Sequence, residues 1–222
     1  MPAAPLLVKR ELYALSSDTG SRFVRLILGE LGLPFALKNP SILGEDGPQD
    51  IPALQDENGI QITYASCIAE YLDEAYEGGL IGAEPTIRAQ IRQVWRYIEG
   101  PVAKRVTRPL VYERVHRRMS GLGTPDSRAI QRANAAKGYY FKELERLIDL
   151  DVWIAGPKLS LADLSLAAQL SLLDYLDQID WDVYAGLGDY YRRLKSRPSM
   201  RALLMDRLEG ITPSQTYEDL DF

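Results

Sequence analysis

Ile51-Pro52-Ala53-Leu54-Gln55-Asp56-Glu57-Asn58-Gly59-Ile60-Gln61-Ile62-Thr63-Tyr64-Ala65-Ser66-Cys67-Ile68-Ala69-Glu70-Tyr71-Leu72 carries two kinds of hydrophobic period in succession. The Asn58-Gly59 pair predicts a tight turn between two short strands, 51–54 and 60–63, which together read as a hairpin. Immediately afterwards Ile68, Tyr71, Leu72 and Ala75 fall along one face of a helix.

Toward the N-terminus, Leu12-Tyr13-Ala14-Leu15 predicts a strand and Asp18-Thr19-Gly20 a turn. Phe23, Val24, Ile27, Leu28 and Leu31 then recur at helical spacing until Gly32 and Pro34 end the helix. Phe35-Ala36-Leu37 offers a second strand, and residues 39–49, with two prolines and two glycines, read as a loop. Strand, helix and strand followed by a hairpin and a helix is the order of a thioredoxin-like unit, assigned to residues 1–78.

Beyond Gly78-Gly79 the pattern is helical, and residues 85–222 are expected to form an all-helical domain with a tail at 211–222. Pro85 opens one helix, with Ile87, Ile91, Val94, Trp95 and Ile98 as its buried stripe. A second runs from about 126 to 150 and carries Tyr139, Tyr140, Leu144 and Leu147. Ser160-Leu161-Ala162-Asp163 has the form of a capping box. The helix it opens, Leu164 to Leu176, is apolar almost all round and should lie at the centre. Tyr190, Tyr191 and Leu194 mark a last main helix, closed by Arg197-Pro198. The fold class is therefore α+β, a small mixed domain followed by a helical one.

The 222 residues are enough to bury a sizeable core. No apolar run approaches the roughly 18 residues that cross a bilayer, and the start lacks the pattern of a signal peptide. Together with a single cysteine, this points to the cytoplasm, with no direct membrane insertion. One Cys and one His leave too few ligands for a thiolate or imidazole metal cluster, so no metal is expected. A net charge of -5 argues against general nucleic-acid binding.

Across nearly the whole chain the sequence resembles the glutathione transferase superfamily. The likeness rests on Leu12-Tyr13 through Glu30-Leu31-Gly32-Leu33-Pro34, on the hairpin-helix stretch above, and on Leu159-Ser160-Leu161-Ala162-Asp163. It implies a cis bond before Pro52, with residue Ile51 offering its backbone to the cysteinyl part of glutathione. It also implies that Ser66 holds the γ-glutamyl carboxylate at a helix N-terminus.

Two positions depart from that pattern. Asp18 falls where active members place a serine or cysteine, and an ionised carboxylate has no proton to donate to a thiolate. Its charge would also raise the pKa of a nearby thiol. Ala65 replaces the acidic residue that usually precedes the serine. Catalysis is therefore expected to be lost, with no cofactor. The alternative is an active transferase that binds glutathione and uses Ser17 or Tyr13 to steady the sulfur.

Within the superfamily the chain resembles a branch of alphaproteobacterial division proteins that bind FtsZ filaments. The stretch 112–119, the aspartate at 18 and the terminus Tyr217-Glu218-Asp219-Leu220-Asp221-Phe222 carry this likeness. It implies a homodimer at the division site, with FtsZ and other division proteins as partners.

The charges read the same way without the family. Between Lys104 and Arg132 lie eight basic residues, Arg114, Arg117 and Arg118 among them, against two acids, whereas the rest of the chain is acidic. Such a field suits an acidic partner, or is simply a solvated helix face. The tail spaces Tyr217, Leu220 and Phe222 between Asp219 and Asp221, as a short docking peptide would, or packs back on its own domain. Cys67 reads as a small buried apolar residue and His116 as solvated.

Overall fold

The computed structural model describes residues 10–40 and 50–219. Four short strands form one sheet: β1 (Glu11–Tyr13), β2 (Ala36–Lys38), β3 (Ala53–Gln55) and β4 (Gln61–Thr63). Their order is β2-β1-β3-β4, with β1 parallel to β2 and antiparallel to β3, and β3 antiparallel to β4. Leu12 pairs with Leu37 on one side and Leu54 on the other, so the hydrophobic centre of each strand sets the register. The parallel pair requires a crossover, which α1 (Thr19–Glu30) supplies.

α1 begins where Asp18 accepts a hydrogen bond from Ser21 N, and buries Phe23, Val24, Leu26, Ile27 and Leu28. Gly32, at φ 63, lets the chain turn back, and Leu33 N closes the end on Leu28 O at 2.9 Å. The hairpin β3–β4 leads directly into α2 (Ala65–Ala75), as its sequence predicts.

The helical part starts with α3 (Pro85–Tyr97). The same rod then continues through wide π-helical turns, Ile98–Thr107 and Tyr112–His116, into the short segments α4 (Arg108–Val111) and α5 (Arg117–Met119). Pro101 lies inside the first wide turn, where its missing N–H and bulky ring disfavour a regular α-helical ladder. The sequence predicts a helical domain here but marks out no individual helix between Ile98 and Met119. α6 (Ser127–Ile148) runs back alongside it.

α7 (Leu161–Tyr175) is buried over its whole length, in agreement with its apolar sequence. Both halves of the capping box form, since Asp163 accepts from Ser160 N at 2.7 Å while Ser160 caps the backbone of Asp163. α8 (Ala185–Lys195), α9 (Arg201–Leu204) and α10 (Gln215–Glu218) complete the chain, and α1 packs across α7 to join the sheet layer to the helices.

Two expectations of burial, at Ile87 and Cys67, do not hold, and Tyr139 of the second long helix also faces outward. Ile87 sits at the first turn of α3, 40% exposed, covering the backbone at Gly82 instead of entering the core. Tyr139 is 63% exposed because neighbours on a helix point about 100° apart, and it is Tyr140 that packs inward against Tyr97. Cys67 is exposed on α2, opposite in direction to the buried Ile68 and Ala69.

Candidate functional site

The turn after β1, the bend before β3 and the start of α2 converge on one cleft of about 480 Å³. Ser17, Asp18 and Gly20 come from the first, Ile51 and Pro52 from the second, and Tyr64, Ala65 and Ser66 from the third. The Ile51–Pro52 bond is cis, as the resemblance implies. Gly20 is where the three meet. A Cβ placed on it would lie 3.2 Å from Ala65 Cβ, 3.3 Å from Asp18 Oδ2 and 3.3 Å from Pro52 Cδ. Any side chain there would have to push the walls apart.

Asp18 is held firmly. Its Oδ2 accepts from Ser21 N at 2.6 Å and from Ser21 Oγ at 2.7 Å, and that hydroxyl in turn accepts from Leu15 N. The carboxylate thus caps α1 while facing the cleft, and it offers acceptors only. Ser17 lines the same wall and is almost fully buried. Tyr13 does not reach the cleft. Its hydroxyl donates to Glu11 Oε2 at 2.9 Å, because residues two apart on a strand share a face. Of the two hydroxyls considered for steadying a sulfur, only Ser17 is in position.

At the start of α2, Tyr64 takes a left-handed φ of 66 and supplies no side-chain cap. Ile68 N is the first amide to bond back, to Tyr64 O at 3.1 Å, which leaves the amides of Ala65, Ser66 and Cys67 ahead of it. Ser66 lies on the second residue of the helix, at the cleft. Ala65 contributes a methyl group that packs against Gly20.

The opposite wall belongs to the helical part and was not read as a site from the sequence, although Arg108, Tyr112 and His116 fall in stretches noted there for other reasons. It contains Glu99, Thr107, Arg108, Val111, Tyr112, His116 and Gln169. Burial pushes the Glu99 carboxyl above its usual range and the Asp18 charge adds to this, while a hydrogen bond from Trp95 and the charges of Arg96 and Arg108 pull the other way. Gln169 is a polar residue in an otherwise apolar run of α7, and that contrast is the signal by which it could have been found. Thr107 lies in the wide π-helical turn, where a regular helical wheel misplaces it. His116 is half-buried at the cleft edge instead of solvated.

The basic segment 104–132 presents its charges outward. Lys104, Arg105, Arg108, Arg114, Arg118, Arg128 and Arg132 are all exposed. The two acids within it are committed locally: Glu113 is buried and accepts from Asp126 N at 2.7 Å, and Asp126 caps α6. Arg117 is partly occupied by Thr124 O at 2.9 Å and Glu113 Oε2 at 3.6 Å. Arg114 and Arg118, four residues apart on one helical face, line a shallow groove beside Leu176 and Ile211.

The tail reading requires one correction. Tyr217, read as a docking anchor, is 0% exposed and donates to Leu203 O at 2.6 Å, so it anchors the segment to its own core. Asp219 is also tied down, its carbonyl accepting from Lys195 Nζ. Leu220, Asp221 and Phe222 lie outside the described residues.

No protein-family model matches the chain. It is 32% identical to FtsZ-localized protein A of Caulobacter vibrioides (strain NA1000 / CB15N), with 97% of this chain and 99% of that protein covered. The solved structure of FzlA from C. crescentus superposes with a TM-score of 0.88 at 31% identity, covering 97% of this chain and 100% of that one. A glutathione S-transferase structure from Sinorhizobium meliloti 1021 gives 0.87 at 35% identity, covering 96% and 99%.

Proposed function

As the chain belongs to the glutathione-transferase-like superfamily, in the family of FtsZ-localized protein A, we propose that it is a non-catalytic protein that binds FtsZ filaments at the division site and links them to cell-wall synthesis. The observation that carries the non-catalytic half is Asp18. Its Oδ2 is engaged as the cap of α1, and the group has only acceptors to turn toward a sulfur. A thiolate placed there would face a like charge, which favours the unreactive thiol. The binding half is supported by the relative's name and by the outward-facing arginines of segment 104–132, whose acids are consumed as caps.

The test is co-sedimentation with polymerised FtsZ, run beside a glutathione-dependent assay with a chromogenic electrophile. Saturable, salt-sensitive pelleting without turnover is expected. Absence of pelleting would remove the filament reading, and turnover at transferase rates would remove the non-catalytic one.

A second reading is an active glutathione transferase. It is favoured by the near-equal likeness to the Sinorhizobium meliloti structure and by Ser17, the cis Pro52 and Ser66 sharing one cleft. In that case Ser17→Ala would abolish turnover.

A further inference from the structure

The cleft holds two carboxylates and two buried neutral oxygens, and the protein leaves the two neutral oxygens without hydrogen-bond partners. Asp18 stands on one wall and Glu99 on the other, and among the described residues neither carboxylate forms an ion pair. Two neutral oxygens join them. Gln169 is 4% exposed and Thr107 is 0% exposed, both line the cleft, and neither Gln169 Oε1 nor Thr107 Oγ1 has a hydrogen-bond partner. Buried polar atoms are almost always paired, so two orphans on the wall of one cleft mark a place that a bound group completes.

The chemistry of that group follows from the donor set. An anion at this point would meet two carboxylates. A metal ion would need a third ligand, and no group of three His, Cys, Asp or Glu is gathered among the described residues. A cation with several N–H groups matches two carboxylates, a carboxamide oxygen and a hydroxyl together. The volume, about 480 Å³, is that of a small-molecule site. Arg108 also lines the cleft, but its side chain is exposed and forms no ion pair with either carboxylate among the described residues. The geometry points to a small organic cation, a primary ammonium or guanidinium compound, as the ligand of this cleft, held between Asp18 and Glu99 with Gln169 and Thr107 completing its hydrogen bonds. The charge that opposes a thiolate becomes the charge that selects the ligand. This goes beyond the filament reading and does not depend on it.

The experiment is calorimetric titration of the full chain with agmatine, which carries an ammonium at one end and a guanidinium at the other, and separately with glutathione. Saturable binding of agmatine at one site is expected, with weaker or no heat from glutathione. Asp18→Asn keeps the helix cap, since asparagine caps as well as aspartate, and should weaken agmatine about tenfold, the loss of one charge-assisted hydrogen bond. Glu99→Gln, at a half-exposed position, should do the same and serves should the first variant fold poorly. No binding of agmatine, tighter binding of glutathione, or agmatine affinity unchanged in Glu99→Gln would each overturn the assignment.

Discussion

Arg22 Nη1 donates a hydrogen bond to the Tyr217 hydroxyl at 3.1 Å, joining the first helix to the last across 195 positions of sequence. Arg22 is fully buried, and its other contacts reach Ser16 O, Ser171 Oγ and, at 3.7 Å, Asp206 Oδ2. A buried guanidinium needs such partners, because leaving it unpaired in a dry interior is costly. One side chain thus ties together the cleft turn, the central helix and the C-terminal segment.

Tyr217→Phe removes an acceptor for Arg22 and a donor to Leu203 O without opening a large cavity. The expected destabilisation is about 1–3 kcal/mol. Tyr217→Ala adds a cavity beside Tyr175 and should cost about 3–5 kcal/mol. Urea denaturation of the two variants checks the order, and equal midpoints for wild type and Tyr217→Ala would refute the anchoring role.

Glu30 predicts an acid-range dependence of stability. Burial pushes its carboxyl up, but hydrogen bonds from Arg197 and Ser199 outweigh this and hold it below the usual glutamate range. A carboxyl depressed in the folded state contributes stability that is complete above its unfolded value and is lost as pH falls through the folded one. Wild type should therefore lose stability between about pH 5 and pH 3 more steeply than Glu30→Gln, which has no proton to take up there. Denaturation midpoints across that window decide it.

Asp163 accepts from Ser160 N at 2.7 Å, Ser160 Oγ at 2.6 Å, Ile154 N at 2.9 Å and the Tyr190 hydroxyl. Asp163→Ala strands several buried donors at once and should cost about 3 kcal/mol or more. Asp163→Asn keeps an acceptor oxygen and should recover part of the loss. A thermal melt of both variants tells whether the carboxylate is the organising group of α7.

On the basic face the structure separates arginines that the sequence treats alike. Arg114 and Arg118 are exposed, whereas Arg117 is engaged by Glu113 and Thr124 O. The double variant Arg114→Asp with Arg118→Asp should therefore weaken pelleting with FtsZ polymers more than Arg117→Asp does, and added salt should narrow the gap. Pelleting unaltered by the double change would place the filament contact elsewhere.

The strands, the Asn58-Gly59 turn, α1, α2 and the capping box of α7 were legible because each is set by residues close in sequence. The extension from 98 to 119 was legible only as generally helical, and its individual elements were not placed, because its wide turns break the period on which such reading depends. Half of the cleft was legible through the family resemblance, which singled out Asp18, Ile51, Pro52 and Ser66, and these four do line one cleft. Tyr217 was misread because an aromatic near a chain end looks exposed until a core is built around it.

The amino-acid order alone indicated which segments pair or coil and which stretch is rich in arginine, and its family resemblance drew attention to the acid at position 18. Only the folded chain decided that Glu99, Thr107 and Gln169 stand across from Asp18, and that the last helix closes on Arg22. Local structure follows from neighbours a few residues apart, whereas the facing of two walls depends on how α1 and α7 pack, which no local pattern encodes.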